Sequence, residues 1–478
     1  MNKDKNGYIT VYLSLCIGIL LSFLLTIVEG VRYKTIKFQT ECVTDIGLNS
    51  IFAEYNRQML EQYDLLFIDS SYGNFGDTSE LTKSHLLQYM NLNFIPPGQN
   101  NIALFKDLTA LHADNASLKK IAYASDNYGS VLQYQILQLV KEKYGINYLD
   151  NLIEDEVSQD TNYDDYQKRR SQTKESINGI LDEINANKDE EQDSVSISNP
   201  ADSVEDLSQY TVLNYAIKNI NEISKEKVNL NECISYRNYD EGSGLLKGQN
   251  FANNLLTKKL LNTYIFDKCA FYNKTKQNSK LDYQIEYLLF GSDSDSENLK
   301  LVAEKIFKIR YAINMAYLFS DSGKQMEAEE LAIVVTTGIM HPELMEAVKL
   351  SILFAWGYAE TAKDLRILFD GNQLVNIKSS SNWNTPLSQM VTFKNHLGEY
   401  RANSTGSEYK NYLSGFLLCM DQKTVNKRLM DIMEMDIRRT SGNHYFKLDK
   451  CIYQLEADIN VSSRYGYGIN INRWFSYE

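Results

Sequence analysis

Few residues in this 478-residue chain stand at spacings that could do chemistry. Asp293-Ser294-Asp295-Ser296-Glu297 puts carboxylates at alternate positions, the spacing by which calcium loops turn successive side chains toward one hard cation. The glycine and the closing glutamate of an EF-hand loop are missing, so the run reads as an exposed, hairpin-like loop. The five histidines, His85, His112, His341, His396 and His444, never pair at a zinc-helix spacing. Gly242-Ser243-Gly244 is too short for a nucleophile elbow and reads as a flexible loop. No dinucleotide, phosphate-loop or serine-hydrolase signature occurs. Cys16 lies in an apolar run, and Cys42, Cys233, Cys269, Cys419 and Cys451 are scattered. Their odd number and the lack of any CxxC pair argue for plain thiols over a closed disulfide framework. A carboxylate pair of the glycosidase type could lie among the 62 acidic residues, but spacing singles none out. The expectation is a chain with no catalytic residue, metal or cofactor: not an enzyme.

The strongest physical signal is at the N-terminus. Gly7 to Val28 carries no charge over roughly 22 residues, about 33 Å as a helix, against a hydrocarbon core of about 30 Å. The run is too long for a cleaved secretory signal, and no small-residue cleavage site follows it. A buried soluble helix would seldom be apolar on every face. Leu13-Ser14-Leu15-Cys16 has the look of a lipobox, but the cysteine sits mid-run. Cations flank the run almost evenly, Lys3 and Lys5 before it and Arg32, Lys34 and Lys37 after. The short leading tail fits a signal-anchor with the N-terminus inside and the body outside. The net charge of −13 and pI near 5.1 exclude nucleic acid as a partner and suit a body that does not adhere to anionic lipid.

The helix is expected to continue past the bilayer. No proline precedes Pro96, and Leu48, Phe52, Tyr55, Met59 and Tyr63 recur at helical spacing, with Glu54, Arg57, Gln58 and Glu61 opposite. A lipid-facing half followed by an amphipathic half of a helix of about 50 residues, packed on a globular head, is the layout of a pilin.

At this point the residues carry a resemblance. Lys5-Asn6-Gly7-Tyr8-Ile9-Thr10-Val11-Tyr12-Leu13-Ser14-Leu15, with Ile27-Val28-Glu29-Gly30-Val31-Arg32, resembles the start of TadE-type pilin-like proteins of Tad/Flp pilus systems. Ser50-Ile51-Phe52-Ala53-Glu54-Tyr55, Tyr63-Asp64-Leu65-Leu66-Phe67-Ile68-Asp69 and Glu286-Tyr287-Leu288-Leu289-Phe290-Gly291 resemble a domain family of unknown function from Gram-positive anaerobes. The resemblance implies a place near Tad-type pilus or secretion machinery and no reaction. It marks Gly7 and Tyr8 as the two sides of a prepilin-type cleavage. The family's glutamate, five residues after the cut, is replaced here by Tyr12. Glu29 is about five turns away, cannot take its role, and reads as a charge at the membrane boundary.

Beyond the anchor, Asp69 to Asp77 reads as a polar loop, Ile95-Pro96-Pro97-Gly98 as a break, and Lys119 to Tyr144 as a helix. Asp164 to Glu183 is expected to form a short charged helix. Asp189 to Asp206, acidic with no lysine or arginine, reads as a solvated linker. Further helices are expected over Gln249 to Asp267, Leu299 to Tyr317, Pro342 to Phe369 and Val425 to Arg439. Pro342 suits a first turn and Gly371 a helix end. Charges close to Leu350–Ala359 favour a core helix over a second span. Alternation at Tyr283, Ile285, Tyr287 and Leu289 predicts a strand, and Leu455 to Val461 with Tyr465 to Ile471 predicts a hairpin.

The expected class is α+β, mostly helical: an N-terminal transmembrane helix continuing into a long amphipathic helix, then C-terminal helices with a small antiparallel sheet. The expected organisation is a cytoplasmic tail (1–6), a transmembrane helix (7–28), a membrane-proximal helical region (29–150), an acidic linker (151–210) and an α+β ectodomain (211–478). The partners expected are the lipid bilayer, through the N-terminal helix, and other pilin-like or envelope proteins. The alternatives are a surface-anchored cell-wall hydrolase and a ligand-binding envelope protein.

Overall fold

The computed structural model describes residues 5–74, 79–94, 109–144, 163–187, 194–207, 211–245, 254–339, 341–401 and 405–477. The Ile95–Gly98 break lies outside them. Two compact units are woven from discontinuous stretches: residues 1–139, 233–252 and 429–478 in the first, 140–232 and 253–428 in the second.

The first unit begins with α1 (Lys5–Phe52), a continuous helix of 48 residues. A four-residue break ends it, where Asn56 accepts the Met59 amide and starts α2 (Arg57–Tyr63). The apolar series through Tyr63 is therefore carried by two helices, because a capping side chain competes with helix continuation at Asn56. After β1 (Ile68–Asp69) comes α3 (Ser79–Phe94), whose Leu86, Met90 and Phe94 repeat every fourth residue toward α1. A side chain at Gly47 would meet Met90 at 2.9 Å, so this glycine sets how closely α1 and α3 approach.

Next come β2 (Leu111–Tyr123) and α4 (Asp126–Tyr144). The helix expected from Lys119 thus starts seven residues late. Lys119 to Tyr123 belong to a strand, in which Leu111, Ala113 and Ala116 turn inward and the register shifts at Ala113/Asn115 and again between Lys119 and Tyr123. Three successive left-handed residues, Asn127, Tyr128 and Gly129, open α4. Far along the chain, β3 (Cys451–Ser463) and β4 (Gly468–Ser476) form the expected hairpin. All pairings are antiparallel. β3 is central: β2 takes one edge, while β4 and the short β1 share the other. The expected third strand at 283–290 is not in this sheet; β2 and β1 are.

The packed half of α1 lies along β4. Tyr467 meets Glu29 and Tyr33, Arg473 pairs with Asp45, and Phe475 and Tyr477 pack on Phe52. The match is metric. The rise from Glu29 to Phe52 at about 1.5 Å per residue and that from Tyr467 to Tyr477 at about 3.4 Å per residue both cover roughly 34 Å. Ile36, Val43, Leu48 and Ile51 close the core against Leu455, Ala457, Ile459 and Ile471.

The second unit is helical: α5 (Tyr163–Ala186), α6 (Pro200–Leu207), α7 (Leu213–Ala216), α8 (Leu255–Lys268), α9 (Gln284–Phe290), α10 (Asp295–Ser320), α11 (Ser322–Val335), α12 (Pro342–Phe369) and α13 (Tyr409–Cys419). The chain then enters α14 (Gln422–Arg438), which leads back to the first unit. α12 is the axis, packed by α5, α6, α7, α10 and α11, and every residue from Ile352 to Phe369 is buried. His341 caps it through Nδ1, and Pro342 occupies its first turn. The alternation at 283–289 belongs to α9, not to a strand. Every residue from Gln284 to Leu289 is buried, so no exposed face marks a period, and left-handed Gly291 closes the helix. Of the acidic stretch expected as linker, residues 189–193 lie outside the description. Residues 194–207 end in α6, whose Ala201 and Val204 are buried and whose start is capped by Asn199.

Candidate membrane-interface site

From Tyr8 to Val28, α1 touches almost nothing. Leu13, Leu15, Leu20, Phe23, Leu24 and Leu25 are each more than half exposed. It is the one helix among the described residues long and apolar enough to cross a membrane, with a mean hydropathy of 2.6 over its most apolar window. Gly7 and Tyr8 sit near its start with Tyr8 79% exposed; no heavy atom outside its helix lies within 4 Å of a Cβ placed at Gly7. Tyr12, at the position of the pilin glutamate, is 70% exposed.

Where the naked run ends, a small polar cluster closes around the helix. The Glu29 carboxylate accepts the Tyr467 hydroxyl and pairs with Arg32 at 2.6 Å. Sharing its proton with that carboxylate raises the Tyr467 phenol above its usual range, with burial adding to the effect. The Arg32 guanidinium lies 4.3 Å over the Tyr465 ring, and the Tyr33 and Tyr467 rings are 5.7 Å apart. The β3–β4 turn is fixed from behind, since the Arg464 amide donates to Ala110 O at 3.1 Å and the Ser463 hydroxyl to Thr109 O at 2.5 Å. Glu29 thus sits where the bare run ends, with a partner that spacing did not reveal. The hydrogen-bonded pair is 438 residues apart in the chain.

At the far end of α1 a second cluster gathers. Glu54, in the break, accepts the Tyr72 hydroxyl at 2.9 Å and the Tyr89 hydroxyl at 2.6 Å, and its carboxylate meets His85 Nδ1 at 3.0 Å. Burial raises the Tyr72 phenol. These groups satisfy one another and tie α1 to α3.

The other sequence candidates are dispersed. The 293–297 run is neither a calcium loop nor an exposed hairpin: it starts α10. There the helical turn separates the carboxylates. Asp295 turns inward to accept the Ser224 hydroxyl and the Asp282 and Tyr283 amides, and Glu297 pairs with Lys300. Gly242 and Gly244 are not loose. Their amides donate to the Asp126 carboxylate at 2.7 and 2.9 Å, and the Ser243 amide donates to Ile121 O. Among the described residues, no three His, Cys, Asp or Glu side chains converge as metal ligands would.

Two features of the second unit escaped the spacing patterns. Arg310, Asp364, Lys378 and Glu360 form a fully buried quartet. Arg310 Nη2 lies 3.0 Å from Asp364, and Lys378 Nζ lies 2.7 Å from Asp364 and 2.5 Å from Glu360. Burial opposes ionisation of Asp364, but Lys378 and Arg310 outweigh it and hold the carboxyl below its ordinary range. Among the described residues, no cation pairs with Glu286. Burial pushes it up to about 7, against the hydrogen bonds from the Tyr272 amide and the Tyr409 hydroxyl, while its Oε2 has no partner. The unit also holds a cavity of about 470 Å³ between α5, residues 195–202 and α12, with Arg170, Lys174, Asp182 and Asn199 in its wall.

The chain belongs to DUF5702, a family of unknown function, whose profile matches residues 188–463, more than half of its length. No curated protein and no solved structure matches it.

Proposed function

We propose that this DUF5702 member is a membrane-anchored, extracytoplasmic protein and a pilin-like accessory or assembly component of a Tad/Flp-type pilus or secretion system. The observation that carries the reading is the division of α1. Its first half is apolar and bare, and its second half is packed along an antiparallel sheet. Water would penalise so much exposed apolar surface, at about 25 cal/mol per Å². A bilayer or a bundle of similar helices would not. The resemblance of residues 5–15 and 27–32 to TadE-type N-termini supports the Tad/Flp assignment.

The test is the mass of the N-terminal peptide from membrane-isolated protein, with and without prepilin peptidase. A peptidase-dependent terminus at Tyr8 is the outcome expected of a pilin pathway. An intact terminus in carbonate-resistant membranes confines the protein to a signal-anchored docking role. A cut beyond Val28 overturns the anchored reading.

The cavity between α5 and α12 supports a second reading, a ligand-binding envelope protein. It expects a saturable rise in melting temperature of the full chain with some member of a small-molecule panel, and a loss of that rise in Arg170→Ala.

A further inference from the structure

The level of the β3–β4 turn can be read off α1. At about 1.5 Å per residue, Arg32 and Tyr33 lie only about 6 and 8 Å beyond Val28, where the uncharged run ends. That is the depth of one headgroup layer, since a bilayer of about 40–45 Å contains a hydrocarbon core of about 30 Å. Arg464 and Tyr465, at the tip of the turn, are exposed, and the Tyr465 ring lies against Arg32. Lys34 and Lys37 are exposed as well, and at about 100° per residue Lys34 points roughly away from Ile36, which is buried in the core. Cations therefore stand around the helix from this level outward to Lys37, about 14 Å beyond Val28, whose long side chain can snorkel back toward the headgroups, in a chain whose net charge is −13.

We infer that the β3–β4 turn, with Tyr33 and the cations Lys34, Lys37 and Arg464, is a collar that docks onto an anionic lipid surface. The inference rests on the membrane reading of α1 and adds a second contact to it. Tyrosines prefer the headgroup level because one end of the ring is apolar and the other is wet. Each lysine or arginine near an anionic surface contributes about 1 kcal/mol, roughly fivefold in affinity. Arg32 contributes less, being neutralised by Glu29. The turn cannot swing away from the surface, because Glu29 and the Thr109–Ala110 backbone hold it from two sides. The acidic remainder is repelled by the same surface over a Debye length of about 8 Å. Attraction at the collar and repulsion above it hold the first unit upright.

The test uses the full chain in lipid nanodiscs, one set of phosphatidylcholine and one containing about a third phosphatidylglycerol, with hydrogen exchange followed over residues 463–468. Exchange about tenfold slower in the anionic discs, abolished at high salt and by the triple variant Lys34→Glu, Lys37→Glu, Arg464→Glu, is the expected result. Incorporated protein with equal exchange in both discs overturns the collar and leaves the anchor standing. A chain that enters neither disc overturns the membrane reading and the collar with it.

Discussion

The two longest helices solve one problem in opposite ways. α1 and α12 each contain an uncharged apolar run, from Gly7 to Val28 in α1 and the shorter Leu350 to Ala359 in α12. α1 leaves its stretch bare, while α12 is wrapped on all sides by other helices. The difference follows the charges. α1 has none between Gly7 and Val28, so nothing in that stretch requires a partner. α12 carries Glu360, Lys363, Asp364 and Arg366 in its last three turns, all buried. Each needs a partner from elsewhere in the fold, and Arg310, Lys378, Asn384 O, Tyr215 O and Ile217 O supply them. An apolar helix with charges of its own is held inside a protein by those charges. One without them has no such hold, and in α1 it stays bare.

Exchanging the environments should break the symmetry most sharply. Leu353→Arg buries an unpaired charge and is expected to unfold the second unit, at a cost of several kcal/mol. Leu20→Arg should leave the melting temperature of the body unchanged and lower the membrane-bound fraction, at about 2.5–3.5 kcal/mol for a mid-bilayer cation. Flotation and calorimetry on both variants check the pair. Next in size, Asp364→Ala strips the carboxylate from Arg310 and should cost about 3–5 kcal/mol in urea unfolding, because a buried cation is left behind.

Glu286 sharpens the comparison through pH. Its folded value, about 7, lies above the ordinary 4.5, so the folded state holds the proton that the unfolded state releases. The favourable contribution is complete below pH 4.5 and is lost as pH rises to 7. At about 1.4 kcal/mol per pH unit, roughly 3 kcal/mol disappears across that window. Glu286→Gln should flatten the unfolding free energy over it. The smallest effect is expected of Tyr467→Phe. It removes the Glu29 hydrogen bond, should cost about 1 kcal/mol, and should speed amide exchange at the β3–β4 turn.

The sequence was legible wherever one face of an element meets something different from the other. α10 and the β3–β4 hairpin show this contrast, while the N-terminal run and α12 were legible by length, by where charge stops and returns, and by Pro342 and Gly371 at the ends of α12. It failed where the contrast vanishes. α9 is buried all round, so its apolar residues could satisfy either period, and Glu286 among them looked like a surface position. Lys119 and Lys120, paired with Asp458 and Glu456 across a bulged strand, looked like the polar face of a helix. Of the candidate site, the bare run and Glu29 were visible as a loss of charge followed by its return. The collar was not, because Tyr465 and Tyr467 read only as the beginning of a strand, and a contact between residues 29 and 467 leaves no local pattern.

The course of β4 along α1 has a mechanical consequence. The two run side by side for about 34 Å and are fastened at both ends and near the middle, by Tyr467 to Glu29, Arg473 to Asp45 and Tyr477 to the Phe52 carbonyl. A pull on the N-terminus along the helix axis loads all these fastenings together, in shear. They cannot be peeled apart one by one, as they could if the pull came sideways. The first unit is therefore stiffest against tension along the axis of α1, which under the proposed pilin-like role is the direction in which a fibre would draw it.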